Sequence, residues 1–288
     1  MKISTMSIVV GTRACNASCP FCVSKMTPRM AELPATTDLP VRNLRKSLLF
    51  AERSGVSTIL LTGKGEPTLY PDQVDFYLRE IARNGRFPFV EMQTNGFLLE
   101  DGRMDRRLRA WHDLGLTTVS ISMVSTDPAE NGRTMAAGKR RTETAEAVRR
   151  LHDAGLAVRL NCTMVRGVVD SAPRLAALRD WCRERRVGQL TIRELTVPPK
   201  SEDARVYAYA LAHRPRAAGI RAIRRTLARE ARALLTLPHG AVIYDWAGQN
   251  VCLNNCLTPP QDDQIRQIIF FPDGHLRYDW VYEGAILL

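Results

Sequence analysis

Three cysteines near the start of the chain have a spacing that suits a metal cluster. They are Cys15, Cys19 and Cys22 of the segment CNASCPFC, in the pattern C-x3-C-x2-C. Three thiolates this close in sequence can bind three irons of a [4Fe-4S] cubane, which leaves the fourth iron open to a small molecule. Zinc is the alternative, but structural zinc takes four protein ligands, often in paired C-x2-C units, and the sequence has no second such pair. The spacing therefore favours an iron–sulfur cluster.

The segment GKGEP is a second candidate for ligand binding. Gly63 and Gly65 allow the backbone to approach a ligand closely. Glu66, which precedes Pro67, can accept a charge-assisted hydrogen bond from an ammonium group. Gly and Pro also mark ordinary turns, so the segment alone is a weak signal. Its position directly after a β-like run favours a binding loop.

Polar residues lie on three further β-like runs of the sequence. Thr94 and Asn95 end the third run in the segment QTNG, Ser122 ends the fourth, and Asn161 lies on the fifth. Ligands of open α/β folds bind at the carboxyl ends of parallel strands. We therefore expect these side chains to converge with the cysteine loop, although each could instead satisfy backbone groups at the end of a strand.

Together these motifs resemble those of the radical S-adenosylmethionine (SAM) superfamily. The cysteine loop has the superfamily's form C-x3-C-x-aromatic-C, with Phe21 in the aromatic place. GKGEP is similar to its GGEP stretch, with one residue between the glycines. The resemblance covers about residues 7–195. It implies that the open iron binds SAM, and that one electron from the reduced cluster cleaves SAM to methionine and a 5'-deoxyadenosyl radical. The radical then removes a hydrogen atom from the substrate.

The resemblance also implies roles for individual residues. Glu66 would accept a hydrogen bond from the SAM ammonium, and Ser122 and Asn161 would contact its ribose or carboxylate. An electron donor such as flavodoxin or ferredoxin would reduce the cluster. The residues expected to bind SAM are Phe21, Gly63, Gly65, Glu66, Pro67, Thr94, Asn95, Ser122 and Asn161.

Short β-like runs alternate with amphipathic helical stretches in the first two-thirds of the chain. We predict strands over residues 7–11, 58–62, 89–94, 118–123, 157–164 and 189–195, and helices over 44–53, 74–83, 104–114, 144–154 and 173–186. Such alternation indicates βαβ units and a parallel sheet. The predicted fold is α/β, a partial (β/α)6 barrel of the radical SAM type with a C-terminal α+β extension. A doubly wound sheet is the alternative.

The pattern changes after Leu195, where the segment VPPKS interrupts it. We predict a long Arg-rich helix over 217–235, strands from Ala241 onward, and a hairpin at Asp273-Gly274. The predicted division is a radical SAM core over 1–196 and an extension over 197–288. This extension is expected to cover the barrel and contribute to substrate binding.

Four further cysteines lie outside the cluster loop. Cys162 and Cys182, in a predicted strand and a predicted helix, are expected to be ordinary buried residues. Cys252 and Cys256 lie in a polar segment that we interpret as a loop, and are candidates for catalysis because a thiol can donate a hydrogen atom to a substrate radical. A redox disulfide, an auxiliary cluster or no chemistry are the alternatives.

Composition narrows the class of protein. The chain has 288 residues, 45% hydrophobic and 25% charged, as in ordinary globular proteins. It has no apolar run long enough for a membrane helix and no signal peptide, so we expect a cytoplasmic protein without a disulfide framework. The net charge of +11 suggests a small anionic substrate, although much of it comes from Arg scattered along helices.

We therefore predict a radical SAM enzyme that acts on a small polar molecule of the sugar, nucleoside or aminocyclitol type. Epimerisation or dehydrogenation fits best. Modification of a ribosomally made peptide is an alternative, but no leader-binding module precedes Cys15. An iron–sulfur protein that binds RNA without radical chemistry is the alternative from another class, and GKGEP argues against it, so nucleic acid is not the expected partner.

Overall fold

The structure, a computed structural model, describes residues 3–28, 39–136, 138, 140–237, 240–255 and 265–288. Its strands are β1 (Thr5–Val9), β2 (Thr58–Thr62), β3 (Phe89–Thr94), β4 (Thr118–Met123), β5 (Ala157–Met164), β6 (Gln189–Glu194), β7 (Arg232–Thr236), β8 (Val242–Trp246), β9 (Gln249–Asn255), β10 (Gln267–Phe270) and β11 (Leu276–Arg277). Its α-helices are α1 (Val23–Met26), α2 (Val41–Arg53), α3 (Pro71–Asn84), α4 (Asp105–Asp113), α5 (Pro128–Met135), α6 (Thr144–Asp153), α7 (Ala172–Glu184), α8 (Ala204–His213) and α9 (Ala217–Glu230).

The first six strands form a parallel sheet in the order of the sequence. Each of β1 to β5 pairs in parallel with the strand that follows it. A doubly wound sheet would reverse its strand order at a switch point, and no reversal occurs between β1 and β6. The predicted α/β fold with a partial barrel is therefore confirmed. The first strand begins and ends two residues earlier than the sequence suggested.

The two faces of this sheet differ in chemistry because successive side chains of a strand point in opposite directions. One face packs against the helices and is apolar; on β5 it presents the fully buried Leu160, Cys162 and Met164. The other, inner face presents the alternate residues, including Arg159 and Asn161 of the same strand. The inner face is therefore the polar wall available to ligands.

The C-terminal third extends the sheet at both edges. β9 pairs in parallel with β6, and β10 pairs in parallel with β1, so segments from beyond residue 248 flank the six core strands on both sides. Beyond β9 lie β8 and β7, both antiparallel, and beyond β10 lies β11. These strands continue the wall of the barrel, whereas the sequence suggested an extension packed over it. The division at residue 196 stays a prediction.

Two further expectations for this region need correction, and one is confirmed. The Arg-rich helix was expected to reach residue 235, but α9 ends at Glu230, and Arg232–Thr236 form the edge strand β7 because they pair with β8. The segment around Cys252 was expected to be a loop and is strand β9. The hairpin at Asp273-Gly274 does join β10 to β11. Within the described ranges, no helix has the length and apolar character needed to cross a bilayer.

Candidate active site

The cysteine loop begins where β1 ends and is fixed there by its neighbours. The Val10 amide donates to the Thr62 carbonyl at 2.7 Å, and the Gly11 amide donates to Gln73 Oε1 at 2.9 Å. Gly11 has a φ of +69°, and a Cβ there would lie 2.2 Å from the Tyr70 ring. A side chain at position 11 would therefore be both strained and obstructed.

The three cysteines of this loop are free thiols that lie within electrostatic reach of one another. Cys15 is exposed, and Cys19 and Cys22 are half-buried. Burial, and to a smaller extent the neighbouring Cys22 and Cys15, raise the pKa of Cys19 to about 12. Burial also raises the pKa of Cys15. In the metal-free chain these two thiols hold their protons, so binding iron as thiolates must release them.

Helix α5 supports the loop from the opposite side. The Ser18 amide donates to the Met135 carbonyl at 2.7 Å, and Cys19 Sγ lies 3.8 Å from the same oxygen. Met135 is the last residue of α5, and its carbonyl is among those that a helix end leaves without an internal partner. Sequence reasoning missed this contact, because a backbone acceptor has no residue type to signal it.

The segment GKGEP packs directly against the cysteine loop. The Glu66 amide donates to the Ala14 carbonyl at 3.0 Å. A Cβ added to Gly65 would lie 2.2 Å from that same carbonyl oxygen, and one added to Gly63 would lie 3.0 Å from the Val10 oxygen. The glycines thus allow two backbones to touch, and Pro67 begins the short 3-10 turn that follows. From the sequence we expected the glycines to let the backbone approach a ligand, and the structure shows them letting it approach the cysteine loop.

The carboxylate of Glu66 is hydrogen-bonded by the protein itself. It is 2% exposed and accepts hydrogen bonds from four donors of the protein. These are the Thr68 amide and hydroxyl, the Thr94 hydroxyl at 2.6 Å and the Asn95 amide at 2.8 Å. Burial raises the pKa of Glu66, and these hydrogen bonds oppose the rise. These hydrogen bonds fasten the loop to the end of β3, and the contact of Glu66 with a SAM ammonium stays a prediction.

Asn95 links the same strand end to the cysteine loop. Its side-chain amide donates to Asn16 Oδ1 at 2.6 Å and lies 3.7 Å from Cys15 Sγ. Its Oδ1 accepts from the Phe97 amide at 2.9 Å. Thr94 and Asn95 were expected to contact SAM. The structure brings both to the site as residues that hold the loops together.

The Phe21 ring packs into a small apolar cluster, and its contact with SAM stays a prediction. This cluster also contains Phe97, Val206 and Ala210, the last two from α8. Phe21 is 8% exposed. Residues of the C-terminal third therefore shield one side of the cysteine loop from water.

Ser122 and Asn161 lie side by side on the inner face and begin a row of registered residues. Ser122 is paired with Asn161, Asn161 with Thr191, and Thr191 with Cys252. Asn161 is 5% exposed and donates to Ser120 Oγ at 2.6 Å. Its Oδ1 is buried and has no hydrogen-bond partner in the described part of the chain, so it is open to a ligand donor.

Cys252 completes this row on β9. Its neighbours Val251 and Leu253 face the helices, so the Cys252 thiol faces inward, where it is 5% exposed. Burial raises the pKa of Cys252, and the charges of Arg159 and Arg193 oppose the rise. Cys256 lies outside the described residues. Cys162 and Cys182 are both fully buried on the helix side of the sheet.

Two charged groups of the inner wall complete the site. Arg159 Nη1 lies 2.7 Å from Glu91 Oε2, and the Glu91 side chain is only 4% exposed. On β6, Arg193 faces inward, whereas Glu194 lies 3.9 Å from Arg224 of α9. The sequence indicated that one of Arg193 and Glu194 faces the barrel. It also held a signal for Arg159 that we missed, namely its alternation with the apolar residues of β5.

The cysteine loop fits an iron–sulfur cluster better than a single ion. In the described ranges, no three His, Cys, Asp or Glu side chains converge on one metal position. The thiolates of a cubane each bind a different iron and therefore stand farther apart than the ligands of zinc. Three free thiols around one loop are the donor set that such a cluster requires.

Sequence comparison supports the same chemistry. Residues 9–178 match the family model described as the radical SAM superfamily. A GTP 3',8-cyclase of Stenotrophomonas maltophilia is 32% identical over 180 residues, which are 60% of this chain and 50% of the relative. A GTP 3',8-cyclase of Edwardsiella ictaluri is 29% identical over 175 residues, also 60% of this chain and 50% of the relative. The chain thus spans about half the length of the curated relatives that it matches.

Solved structures agree on the fold. The crystal structure of Streptococcus suis SuiB bound to S-adenosylmethionine matches with a TM-score of 0.64 at 15% identity, over 98% of this chain and 62% of that one. Methylornithine synthase matches with a TM-score of 0.56 at 13% identity, over 91% of this chain and 74% of that one. The family match covers more than half of the chain and contains the cysteine loop and GKGEP. The chain therefore belongs to the radical SAM superfamily, whose members bind a [4Fe-4S] cluster and SAM.

Proposed function

We propose that this enzyme abstracts a hydrogen atom from a small, polar, anionic substrate that is held against the inner face of the sheet. The observation that carries the proposal is the polar and basic character of that face, with Arg159, Asn161 and Arg193 on neighbouring strands. An apolar substrate would leave Asn161 Oδ1 and the Nε atoms of Arg159 and Arg193, which have no partner among the described residues, desolvated at a cost of about 1–3 kcal/mol for each unsatisfied group.

Each part of the chain has a separate task in this proposal. Cys15, Cys19 and Cys22 would hold the cluster, which supplies the electron that cleaves SAM when a donor such as flavodoxin or ferredoxin has reduced it. The backbone of GKGEP and the pair Ser122 and Asn161 would hold SAM. Glu66 and Asn95 would keep the loops in place, since their hydrogen bonds join both loops to the end of β3.

Nucleotides are one class of substrate that suits this wall. The relatives are named GTP 3',8-cyclases, and their substrate carries both the base and the negative charge for which the wall has donors. A sugar phosphate or a phosphorylated aminocyclitol satisfies the same donors. GTP is therefore the first compound to test, followed by sugar phosphates.

The position of Cys252 favours epimerisation as a specific reaction. An epimerase must return a hydrogen atom to the substrate radical on the face opposite the abstraction, and a thiol can donate it because the S–H bond is weak. Cys252 is registered with Thr191, next to Asn161 in the same row, so it stands level with the residues proposed to hold SAM. Cyclisation, as in the named relatives, or dehydrogenation does not require a donor there.

The first test of the function is SAM cleavage. Anaerobically reconstituted protein is mixed with dithionite, SAM and a candidate substrate, and 5'-deoxyadenosine is measured by chromatography. A true substrate is expected to increase 5'-deoxyadenosine and to lose one hydrogen atom to it. The matched control is Cys182→Ala, which removes a buried thiol from α7 and should leave cleavage intact. Absence of 5'-deoxyadenosine from a protein with a full cluster would refute the proposal.

The second test distinguishes epimerisation from the other reactions. In deuterated water an epimerised product should carry one solvent deuterium, because a thiol proton exchanges with water. Cys252→Ala should still form 5'-deoxyadenosine but no inverted product. An unlabelled product, or an unchanged product from Cys252→Ala, would exclude Cys252 as the donor and favour cyclisation or dehydrogenation.

A further inference from the structure

We propose that Arg159 and Arg193 form an anion site that binds a phosphate group of the substrate. This inference rests on the proposed function and deepens it, because it names the chemical group by which the substrate is held. It starts from the positions of the two arginines on the inner face of the sheet and from the donors that they leave unused.

The register of the sheet brings Arg159 and Arg193 to either side of Cys252. Cys252 is level with Asn161 of β5 and Thr191 of β6. Arg159 lies two residues before Asn161 on its strand, and Arg193 lies two residues after Thr191. All of these face inward, since the residues between them pack against the helices. Along the barrel axis, the backbone of Arg159 therefore lies on one side of the level of Cys252 and that of Arg193 on the other.

Both arginines have donors that the protein does not use. Arg159 pairs with Glu91 through Nη1, yet its Nε is buried without a partner in the part of the chain that the structure describes. The Nε of Arg193 is likewise buried and unpartnered among the described residues. A buried charged donor without an acceptor costs free energy, so each of these groups favours an anion that can supply one.

The shape of the donors favours phosphate over a single carboxylate. Glu91 already pairs with Arg159 through Nη1, and the Nε atoms of Arg159 and Arg193 have no acceptor among the described residues. A phosphate ester carries up to two negative charges and offers three terminal oxygens, and the forked guanidinium group suits such oxygens bidentately. A pyrophosphate unit can reach more than one arginine at once.

Arg193 stands apart from the strands proposed to hold SAM. Neighbouring strands of a sheet lie about 4.8 Å apart, so Arg193 on β6 stands about 10 Å from β4, which carries Ser122. A phosphate near Arg193 would leave the rest of the substrate to reach across Asn161 toward Ser122. The anion site would thus act as an anchor that fixes which carbon of the substrate faces the radical.

The test measures the binding of inorganic pyrophosphate to the reconstituted enzyme by calorimetry, at low and high salt. Arg193→Gln is the principal variant, because Arg193 has no ion pair within the described ranges and its loss orphans no carboxylate. We expect about tenfold weaker binding in this variant. The double variant Arg159→Gln with Glu91→Gln removes a whole ion pair and should also bind more weakly. Arg109→Gln, on the exposed face of α4, is the matched control and should bind as the wild type does.

Several results would overturn the anion site. The first is that the wild type does not bind pyrophosphate. The second is that Arg193→Gln and the double variant both bind pyrophosphate as tightly as the wild type does. The third is that the wild type binds citrate as tightly as pyrophosphate. SAM cleavage by the wild type, measured in the same preparation, separates this inference from the proposed function. Cleavage without Arg193-dependent binding refutes the anion site alone, and Arg193-dependent binding without cleavage refutes the function while supporting the site.

Discussion

Replacing Glu66 with Gln tests whether this residue holds the loops together or binds SAM. Glu66 Oε1 accepts from the Thr68 amide, the Thr68 hydroxyl and the Thr94 hydroxyl, and Oε2 accepts from the Asn95 amide. A glutamine amide can replace only one of these oxygens. Replacing Oε2 is the milder choice, because it sets one new N–H against the single amide of Asn95.

The expected loss of stability in Glu66→Gln follows from these contacts. One hydrogen bond to a charged acceptor is lost, which costs about 1.5–3 kcal/mol, and the buried Asn95 amide is left unsatisfied, which costs about 1–3 kcal/mol. The neutral glutamine is easier to bury than a carboxylate and offsets part of this. We expect the free energy of unfolding to fall by about 3 kcal/mol, which lowers the melting temperature by about 6–12 °C for a domain of this size class.

The assay is thermal and urea unfolding of the cluster-free protein, followed by circular dichroism, so that SAM plays no part in the result. Glu184→Gln is the matched control, because the Glu184 side chain is 67% exposed at the end of α7. Its stability should change by less than about 0.5 kcal/mol. If Glu66→Gln unfolds like the wild type but binds SAM about tenfold more weakly, the structural role is refuted and the direct SAM contact expected from the sequence is restored.

Three further predictions concern the two loops of the site. Replacing all three cysteines of the cluster loop with Ala should abolish the [4Fe-4S] cluster, and a residual cluster signal in Mössbauer spectra would contradict the assignment. Gly65→Ala places a Cβ 2.2 Å from the Ala14 oxygen and should sharply reduce bound iron, whereas Gly188→Ala, whose Cβ meets only the Val158 oxygen at 3.3 Å, should keep it; equal iron content in both variants would show that the loops need not touch. Burial lowers the pKa of Lys64 to about 8, with the charge of Arg13 adding to the effect, while the unfolded chain titrates near about 10.5. At Lys64 the unfolded state therefore binds more protons between these values, so Lys64 contributes a rise in stability from about pH 8 to about pH 10.5, which the buried Cys19 thiol opposes above about pH 9. The contribution of Lys64 is measured as the difference in free energy of unfolding between the wild type and Lys64→Met, and a difference that does not change with pH would contradict the burial of Lys64.

The middle of the fold could be predicted from the sequence because its signals are local. The predicted bounds of β2 to β5 coincide with the observed strands, since each is a short β-like run between amphipathic helices. The C-terminal strands could not be placed in the same way. The segment of β9 carries no sign that its partner is β6, because parallel pairing joins residues that are distant in sequence.

The same limit applies to the candidate site: its local features could be predicted from the sequence, and its contacts between distant residues could not. Residue types and spacing indicated which loops form it, and the structure does bring GKGEP, Asn95 and the cysteine loop into contact. The sequence could not reveal that Thr94 and Asn95 already satisfy Glu66, because those donors come from a strand end well removed in the sequence. It also could not reveal the row from Ser122 to Cys252, which depends on the register of four strands.

The pairing of β10 with β1 has a consequence for how the protein is made. Thr5 leaves the ribosome long before its partner Gln267 and cannot pair with it until β10 has been synthesised. Until then β1 presents an open sheet edge, and an unpaired edge is a template for association with other chains. Contacts between such distant residues also slow folding. Nascent chains that end before residue 267 should therefore depend on chaperones, and the cysteine loop that follows β1 should be fully supported only once β10 has been added.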